Sequence, residues 1–372
     1  MRALVSGGAG FIGSHLVDEL LKWNYEVVVL DNLEPRVHGS GRADHLPAGV
    51  RFVQGDVRDK SAWQEALEGV GIVFHQAAYQ DYMPDYSKFF HTNVVGTALL
   101  YEVIREQKLK VQKIVAASSQ SVYGEGQYEC RAHGLVMPPA RSQAQMERGD
   151  WDLKCPVCSA PVKVLELKEE YPNPFNPYAL SKYSEELAAL RLGRLFQIPT
   201  VALRYSITQG PRQSPYNSYS GICRIFTLRF LNSQPPVIYE DGRQLRDYVH
   251  VADVVQANLL VARDPRADFE AFNVGSGKGI TVREYASLLA RTLGSEILPL
   301  VPGKFRVGDN RHSVSSIEKL KALGWSPRKD LEHIMKDYVA WLEGSSLREQ
   351  FYLRADREME KAGVVCAAGP AT

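Results

Sequence analysis

Tyr178 and Lys182 stand four residues apart in Tyr-Ala-Leu-Ser-Lys, just after Pro177, a residue suited to the first turn of a helix. On a helix, positions i and i+4 share a face. An ammonium beside a phenol favours the phenolate and lowers a tyrosine pKa from its ordinary value of about 10. Such a pair serves as general acid and base for an alcohol or sugar hydroxyl. Tyr-x-x-x-Lys also recurs by chance, so a partner is needed. Ser118-Ser119-Gln120-Ser121-Val122-Tyr123-Gly124 supplies one at the end of an apolar run. A hydroxyl there can hold a reacting oxygen, although a serine-rich loop can also be only a loop.

A second constellation is Gly7-Gly8-Ala9-Gly10-Phe11-Ile12-Gly13. Glycines are needed where a chain turns tightly and its backbone approaches a pyrophosphate. The helix that follows offers free N–H groups and a positive dipole end. Asp31 closes the next apolar run, 18 residues past Gly13, where an acid accepts hydrogen bonds from an adenosine ribose. That carboxylate repels a 2′-phosphate, so NAD is expected over NADP, with Arg36 nearby as a contrary sign. Asp56, in Gly55-Asp56-Val57, is placed to hold the adenine amino group.

A third is Cys130-Arg-Ala-His133 followed, 21 residues on, by Cys155-Pro-Val-Cys158. Zinc takes four tetrahedral nitrogen or sulfur ligands, and paired ligands on tight turns provide them from short loops. With Cys130, His133, Cys155 and Cys158 all bound, no position stays open, so the role is structural. Free thiols and a Cys155–Cys158 redox pair are the other readings. Cys223 and Cys366 have no partner pattern.

These residues need a frame. Apolar runs at 2–6, 25–30, 50–54, 71–75, 112–118 and 199–204 read as strands, alternating with helical stretches that include 11–23, 89–107 and 177–196. That alternation predicts an α/β fold, a doubly wound parallel sheet covered on both faces. Helices near 220–232, 252–263, 281–293 and 329–343 predict a smaller α/β portion, and the end of the chain, 362–372, reads as frayed. Residues 1–124 and 176–205 are expected to form the first domain, 125–175 an insertion, 206–345 mainly a second portion, and 346–372 a tail.

Composition narrows the function. With 44 Lys+Arg against 43 Asp+Glu among 372 residues, net charge is +1, which argues against nucleic-acid binding by bulk charge. No apolar run approaches the roughly 20 residues that span a bilayer. Glycines 7, 8, 10 and 13 break the one stretch that could pass for a signal peptide, so a cytoplasmic protein with reduced thiols is expected.

Taken as a set, several segments resemble the extended short-chain dehydrogenase/reductases, specifically the NAD-dependent sugar-nucleotide epimerase/dehydratase family. They are Gly7 to Gly13, His75-Gln76-Ala77-Ala78, Asn93-Val-Val-Gly-Thr97, Ser118 to Gly124, Tyr178 with Lys182, and Arg246-Asp-Tyr-Val-His-Val251. The likeness runs from residue 1 to about residue 345. It implies a Rossmann-type domain for the cofactor and a C-terminal portion for a nucleotide-diphosphate sugar. It implies Ser119, Tyr178 and Lys182 as catalytic residues, with Asn93 near the nicotinamide ribose. The cofactor site so implied comprises Gly7, Gly10, Phe11, Ile12, Gly13, Asp31, Asn32, Asp56, Val57, Gln76, Ala77, Ala78, Asn93, Ser118, Tyr178, Lys182 and Tyr205. Gln80, Ser119, Gln120 and Tyr178 would meet the sugar, while Arg246 and Arg306 would grip the diphosphate. The insertion resembles that of a branch with dTDP-L-rhamnose 4-epimerase-like members. Relatives are often homodimers, pairing helices that correspond to 89–107 and 177–196.

Within that family, dehydratases carry Asp-Glu just after the catalytic hydroxyl residue, whereas this chain has Gln120 and Ser121. Decarboxylating members tend to carry Glu there, and no extra Cys–His pair of the reductase-epimerases is evident. A 4-epimerase is therefore expected, with net keto-sugar reduction as the nearest alternative and a non-catalytic NAD-binding protein as another class. Ser206-Ile-Thr-Gln-Gly-Pro211 replaces a more usual Phe-Asn-Val-Tyr-Gly-Pro, so the substrate pocket is not a standard one. Tyr79-Gln80-Asp81-Tyr82-Met83-Pro84 either lines that pocket or packs beneath a loop.

Overall fold

The computed structural model describes residues 1–39, 43, 45–214, 221–343, 357 and 359–369. Short β-branched runs form strands β1 (Arg2–Ser6), β2 (Glu26–Asp31), β3 (Arg51–Gln54), β4 (Ile72–His75) and β5 (Lys113–Ser119). With Thr200–Tyr205 and Ala271–Val274 they make a parallel sheet of seven strands, ordered Ala271–Val274, Thr200–Tyr205, β5, β4, β1, β2, β3.

Period-two alternation sends side chains to opposite faces. Ala3, Val5, Val29, Phe74 and Val115 pack on one face with residues of the helices Phe11–Lys22 and Val251–Val261. Leu4, Val28, Val73 and Ile114 pack on the other with Trp63, Leu100, Tyr101 and Ala189. Both faces are buried, so the strands are apolar throughout. Strand order reverses direction at β1, between β2 and β4, which opens a crevice at the carboxyl ends of the strands.

The expected strands and the long helix lie within a residue of their predicted bounds. Asn176 caps the Pro177–Phe196 helix, its side chain accepting from the Ala179 N–H at 2.8 Å. The stretch 89–107 is not one α-helix. It comprises Tyr86–Phe90, a π-helical turn at His91–Val95 and Gly96–Glu106. Just past that turn Thr97 Oγ1 donates back to the Asn93 carbonyl at 2.7 Å, and the Asn93 side chain bonds elsewhere. Single widened turns of this kind frequently mark functional sites.

Residues beyond 205 divide between two bodies. Ala271–Val274 and the helix Val251–Val261 complete the large sheet and its cover. Ile207–Gln209, Leu245–His250 and Gly279–Thr281 form a separate three-stranded sheet, and the helices Gly221–Leu231, Val282–Thr292 and Leu331–Glu343 share a core that includes Phe226, Tyr285 and Tyr338. The insertion has a small sheet and core of its own. Gly134–Val136, Tyr128–Cys130 and Lys163–Val164 form an antiparallel sheet over a small core of Tyr128, Cys130, Val136, Leu153 and Cys155.

The expectation of a frayed end is corrected for 365–369. Val365–Ala367 pairs antiparallel with Lys304–Arg306, and the Gly369 N–H donates to the Glu147 carbonyl at 2.9 Å. Backbone pairing supplies the order that side-chain composition did not advertise. Residues 344–356, 358 and 370–372 of that expected tail lie outside the described residues. Among the described residues no helix is long and apolar enough to cross a membrane.

Candidate functional site: a cofactor-and-substrate cleft

A cavity of about 510 Å³ runs along the carboxyl edge of the sheet, from the glycine loop, past Ser119 and Tyr178, to Arg246 and Arg306. At its first end, Gly7 has φ +67°, and a Cβ there would lie 2.7 Å from the Ala77 nitrogen. At Gly13 a Cβ would lie 2.2 Å from the Gly7 carbonyl oxygen. Only glycine permits this loop. Gly10 caps the Phe11–Lys22 helix without any side-chain bond, and Gly10, Phe11, Ile12 and Gly13 face the cavity. First-turn N–H groups there suit a pyrophosphate.

Asp31 is buried at the end of β2, its carboxylate accepting from the Ala9 and Leu33 N–H groups at 3.0 and 2.9 Å. Asn32 donates to Asp56 at 2.9 Å. Burial alone would raise Asp56, but bonds from Arg58 and Asn32 outweigh it and lower its pKa to about 2. Arg36, the contrary sign, donates to Asp81 at 2.5 Å and leaves its charge neutralised there. Val57, Ala77 and Ala78 line the cavity beside them. Gln76 and Tyr205 also face it and are joined by a 2.9 Å hydrogen bond, with Asn258 completing the knot. A carboxylate at the β2 end, a glycine cradle and no free cation from Arg36 fit NAD.

Two residues of the implied cofactor set are occupied otherwise. Asn93 lies fully buried behind the cavity wall, accepting from the Tyr79 N–H at 2.7 Å and donating to the Tyr79 carbonyl and Ser181 Oγ at 3.1 and 2.9 Å. It ties the loop after β4 to the Tyr178 helix. Ser118 Oγ donates to Glu186 at 2.7 Å, and Glu186 in turn pairs with Arg204 at 2.6 Å.

At the centre, Tyr178 is buried beside Phe89, with ring centroids 6.2 Å apart, and lines the cavity together with Ser119. Lys182 Nζ donates to the Ala117 carbonyl at 2.5 Å and to Glu185 at 2.6 Å. The expectation that Lys182 depresses the Tyr178 pKa is therefore corrected. Burial pushes the phenol up, the Ser119 hydroxyl pulls it down, and the Glu185 carboxylate pushes it up again. Glu185 takes the ammonium that was expected to act on the phenol. Burial pushes Glu185 itself up to about 7, against the pull of Lys182. Its signal was present: an acid three residues past a lysine on a helix shares the lysine's face.

At the far end, Arg246 donates to the carbonyls of Arg311 and Asn310 at 2.9 and 2.8 Å. Arg306 donates to the Tyr82 hydroxyl at 2.9 Å, with the Tyr82 and Tyr239 rings 4.4 and 4.8 Å from its guanidinium. Gln80 lines the cavity, and Gln120 accepts from Ser313 Oγ at 2.8 Å. Ile207 stands in the wall where relatives often carry Asn. In the 79–84 segment both readings hold. Tyr79 packs with Phe89 and Tyr178, whereas Gln80 and Tyr82 face the cavity. Tyr239 and Arg229 join the wall without any local sequence signal.

In the insertion, one donor atom each from Cys130, His133, Cys155 and Cys158 lies within 4.8 Å of the others. Cys130 and Cys158 sulfurs are 3.7 Å apart, and His133 Nδ1 is 3.5 and 3.6 Å from the sulfurs of Cys130 and Cys155. Zinc bonds of about 2.3 Å to sulfur and 2.0–2.1 Å to nitrogen, at tetrahedral angles, place sulfurs about 3.8 Å apart and sulfur and nitrogen about 3.5 Å apart. The donor set fits zinc.

With this geometry in view, the likeness to known proteins can be weighed. Residues 3–142 and 158–275 match the NAD dependent epimerase/dehydratase family, the break falling inside the insertion. The chain is 33% identical over 349 residues to dTDP-L-rhamnose 4-epimerase of Burkholderia thailandensis, covering 92% of this chain and 94% of that one. It superimposes on UDP-glucose 4-epimerase of Thermotoga maritima, solved with UDP-glucose, with a TM-score of 0.77 at 32% identity, covering 92% and 99% of the two chains. UDP-glucose 4-epimerase of Thermus thermophilus, solved with NAD, gives 0.73 at 31% identity, covering 93% and 100%. The match extends over nearly the whole chain in both sequence and structure, and the protein belongs to the NAD-dependent epimerase/dehydratase family.

Proposed function

We propose that the protein is an NAD-dependent 4-epimerase of nucleotide-diphosphate sugars. The observation that carries this reading is the placement of Ser119 and Tyr178 in one cavity, between the glycine cradle and the arginines Arg246 and Arg306. A bound nicotinamide supplies the hydride acceptor and donor and, when oxidised, a positive charge that favours the Tyr178 phenolate. Tyr178 takes the 4-hydroxyl proton as the C4 carbonyl forms, and returns it when C4 is reduced from the other face. Ser119 holds the 4-oxygen beside the phenol. Lys182, anchored by Ala117 and Glu185, fixes the face of the helix from which Tyr178 projects. Arg246 and Arg306 hold the diphosphate, an anion that planar guanidinium donors suit. The held diphosphate lets the keto sugar turn while the nucleotide stays in place. Gln120 and Ser121 offer no carboxyl group for the additional proton transfers of dehydration.

The Cys130, His133, Cys155 and Cys158 cluster binds structural zinc, and the protein works in the cytoplasm, where such thiolates stay reduced. The chain divides into a cofactor domain, the insertion and a substrate portion. Two copies pair through the 86–106 and 177–196 helices, a reading supported by the exposed apolar side chains of Val95, Leu180 and Leu187. Incubation of the purified protein with UDP-, dTDP- and GDP-hexoses tests the activity. The reading expects a C4 epimer of at least one without added NADH. Product formed only with stoichiometric NADH would mean a reductase instead.

A further inference from the structure

The insertion reaches well beyond its metal cluster. Arg141, with a fully buried side chain, donates to Glu125 at 3.0 Å, to Glu240 at 3.0 Å and to the Asp309 carbonyl at 2.9 Å. Arg311, almost as buried, pairs with Asp152 of the insertion at 2.9 Å and with Glu240 and Asp241 at 2.7 Å each. Its backbone N–H donates to Glu125 at 2.7 Å. Trp151 sets its ring against Phe305, centroids 5.9 Å apart, immediately before Arg306. Residues 305–311 are therefore held from the insertion side by one arginine, two acids and a tryptophan.

The same segment forms the far end of the cleft. It carries Arg306, and its carbonyls at Asn310 and Arg311 accept from Arg246. We infer that the insertion is a part of the nucleoside-diphosphate site, with Arg141, Arg311 and Asp152 as positioning residues that hold the 305–311 loop against Arg246. This rests on the reading that Arg246 and Arg306 bind the diphosphate. None of these contacts approaches the glycine cradle, so the effect is confined to one half of the cleft. The chemistry recognised is a pyrophosphate between nucleoside and sugar, and the insertion sets how tightly it is held.

The test uses the full-length protein with its bound NAD and measures affinity for UDP, dTDP and GDP by calorimetry, beside NAD content and thermal stability. Asp152→Ala is the main variant, because the Asp152 side chain is 77% exposed and its loss leaves no buried charge on the insertion side. Arg141→Gln is the second. The expected result is at least a threefold weaker Kd for Asp152→Ala and at least a tenfold weaker one for Arg141→Gln, with NAD content unchanged and Asp152→Glu restoring part of the loss. Affinity within twofold of wild type in Asp152→Ala overturns the inference, as does a parallel loss of NAD. Arg246→Ala separates this from the underlying reading. If Arg246→Ala binds every nucleotide as wild type does, or wild type binds none, the assignment of the diphosphate site falls and the inference with it.

Discussion

The two ends of the cleft are built by different means. The cofactor end sits on loops that leave the carboxyl edge of a sheet buried on both faces, and its shape follows from backbone: a glycine with positive φ, a glycine with no room for a Cβ, and N–H groups of a helix start. The other end sits on an irregular loop whose position depends on ion pairs with an insertion, chiefly those of Arg141 with Glu240 and of Asp152 with Arg311. Apolar packing is non-directional and shared over many residues, so single changes there are partly absorbed. A buried ionic network is not shared in this way, since removal of one partner leaves another charge uncompensated. The first end rests on backbone shape, while the second rests on paired buried charges.

The comparison can be broken most sharply at its midpoint. Tyr178→Phe removes the proposed acid–base group and should lower turnover by about 10²–10⁴-fold, the range for general acid–base catalysis, while NAD and nucleotide still bind. Turnover near wild type in that variant would remove the mechanism. At the cofactor end, Gly13→Ala puts a methyl group 2.2 Å from the Gly7 carbonyl oxygen, so the purified protein should carry little NAD yet melt as a folded unit. Absorbance and mass spectrometry of released cofactor check it.

At the substrate end, Arg141→Ala leaves Glu125 and Glu240 short of a buried partner and should cost about 3–5 kcal/mol by the measure of broken buried pairs. Chemical denaturation reads that value, and a loss under 1 kcal/mol would mean the network carries little. Metal analysis should find about one zinc per chain. Stripping it with a chelator should melt the insertion and weaken nucleotide binding ahead of NAD release. Zinc well below stoichiometric in protein never exposed to chelator would count against the cluster.

The smallest effect concerns Glu185. Its folded pKa of about 7 lies above the ordinary 4.5 because burial penalises the charge. A raised carboxyl contributes stability that is fully present below about pH 4.5 and is lost as pH rises through 7. Wild type should therefore lose melting temperature relative to Glu185→Gln between those values. A difference flat across that window would show that Lys182 keeps Glu185 ionised throughout.

The legibility of the sequence followed the same division. That Gly7 to Gly13, Asp31, Ser119 and Tyr178 gather along one cavity was readable because their placement rests on local spacing: a turn, a strand end, a helix face. The four metal-type ligands were readable for the same reason, two tight pairs in one loop. Ala271–Val274 was not, being four residues long and 66 residues beyond its neighbour strand in the chain. Nor was the pairing of Val365–Ala367 with Lys304–Arg306, which depends on a distant segment. Asn93 was singled out, but its place in a π-helical turn, with its amide bonded to Tyr79 and Ser181, arises only when three segments meet. Arg141 and Arg311 make no pattern along the chain at all. Glu125 apart, 16 residues from Arg141, their meaning lies in carbonyls and carboxylates 70 to 168 residues away in sequence.

Hydride return to the carbon it left is the central claim. It is tested most directly with a nucleotide hexose carrying deuterium at C4, chosen from those the protein converts and incubated without added NADH. The account predicts a C4 epimer that retains the deuterium at C4 in nearly every molecule. Loss of the label to solvent, or a product that has gained a hydride or lost water, would contradict it.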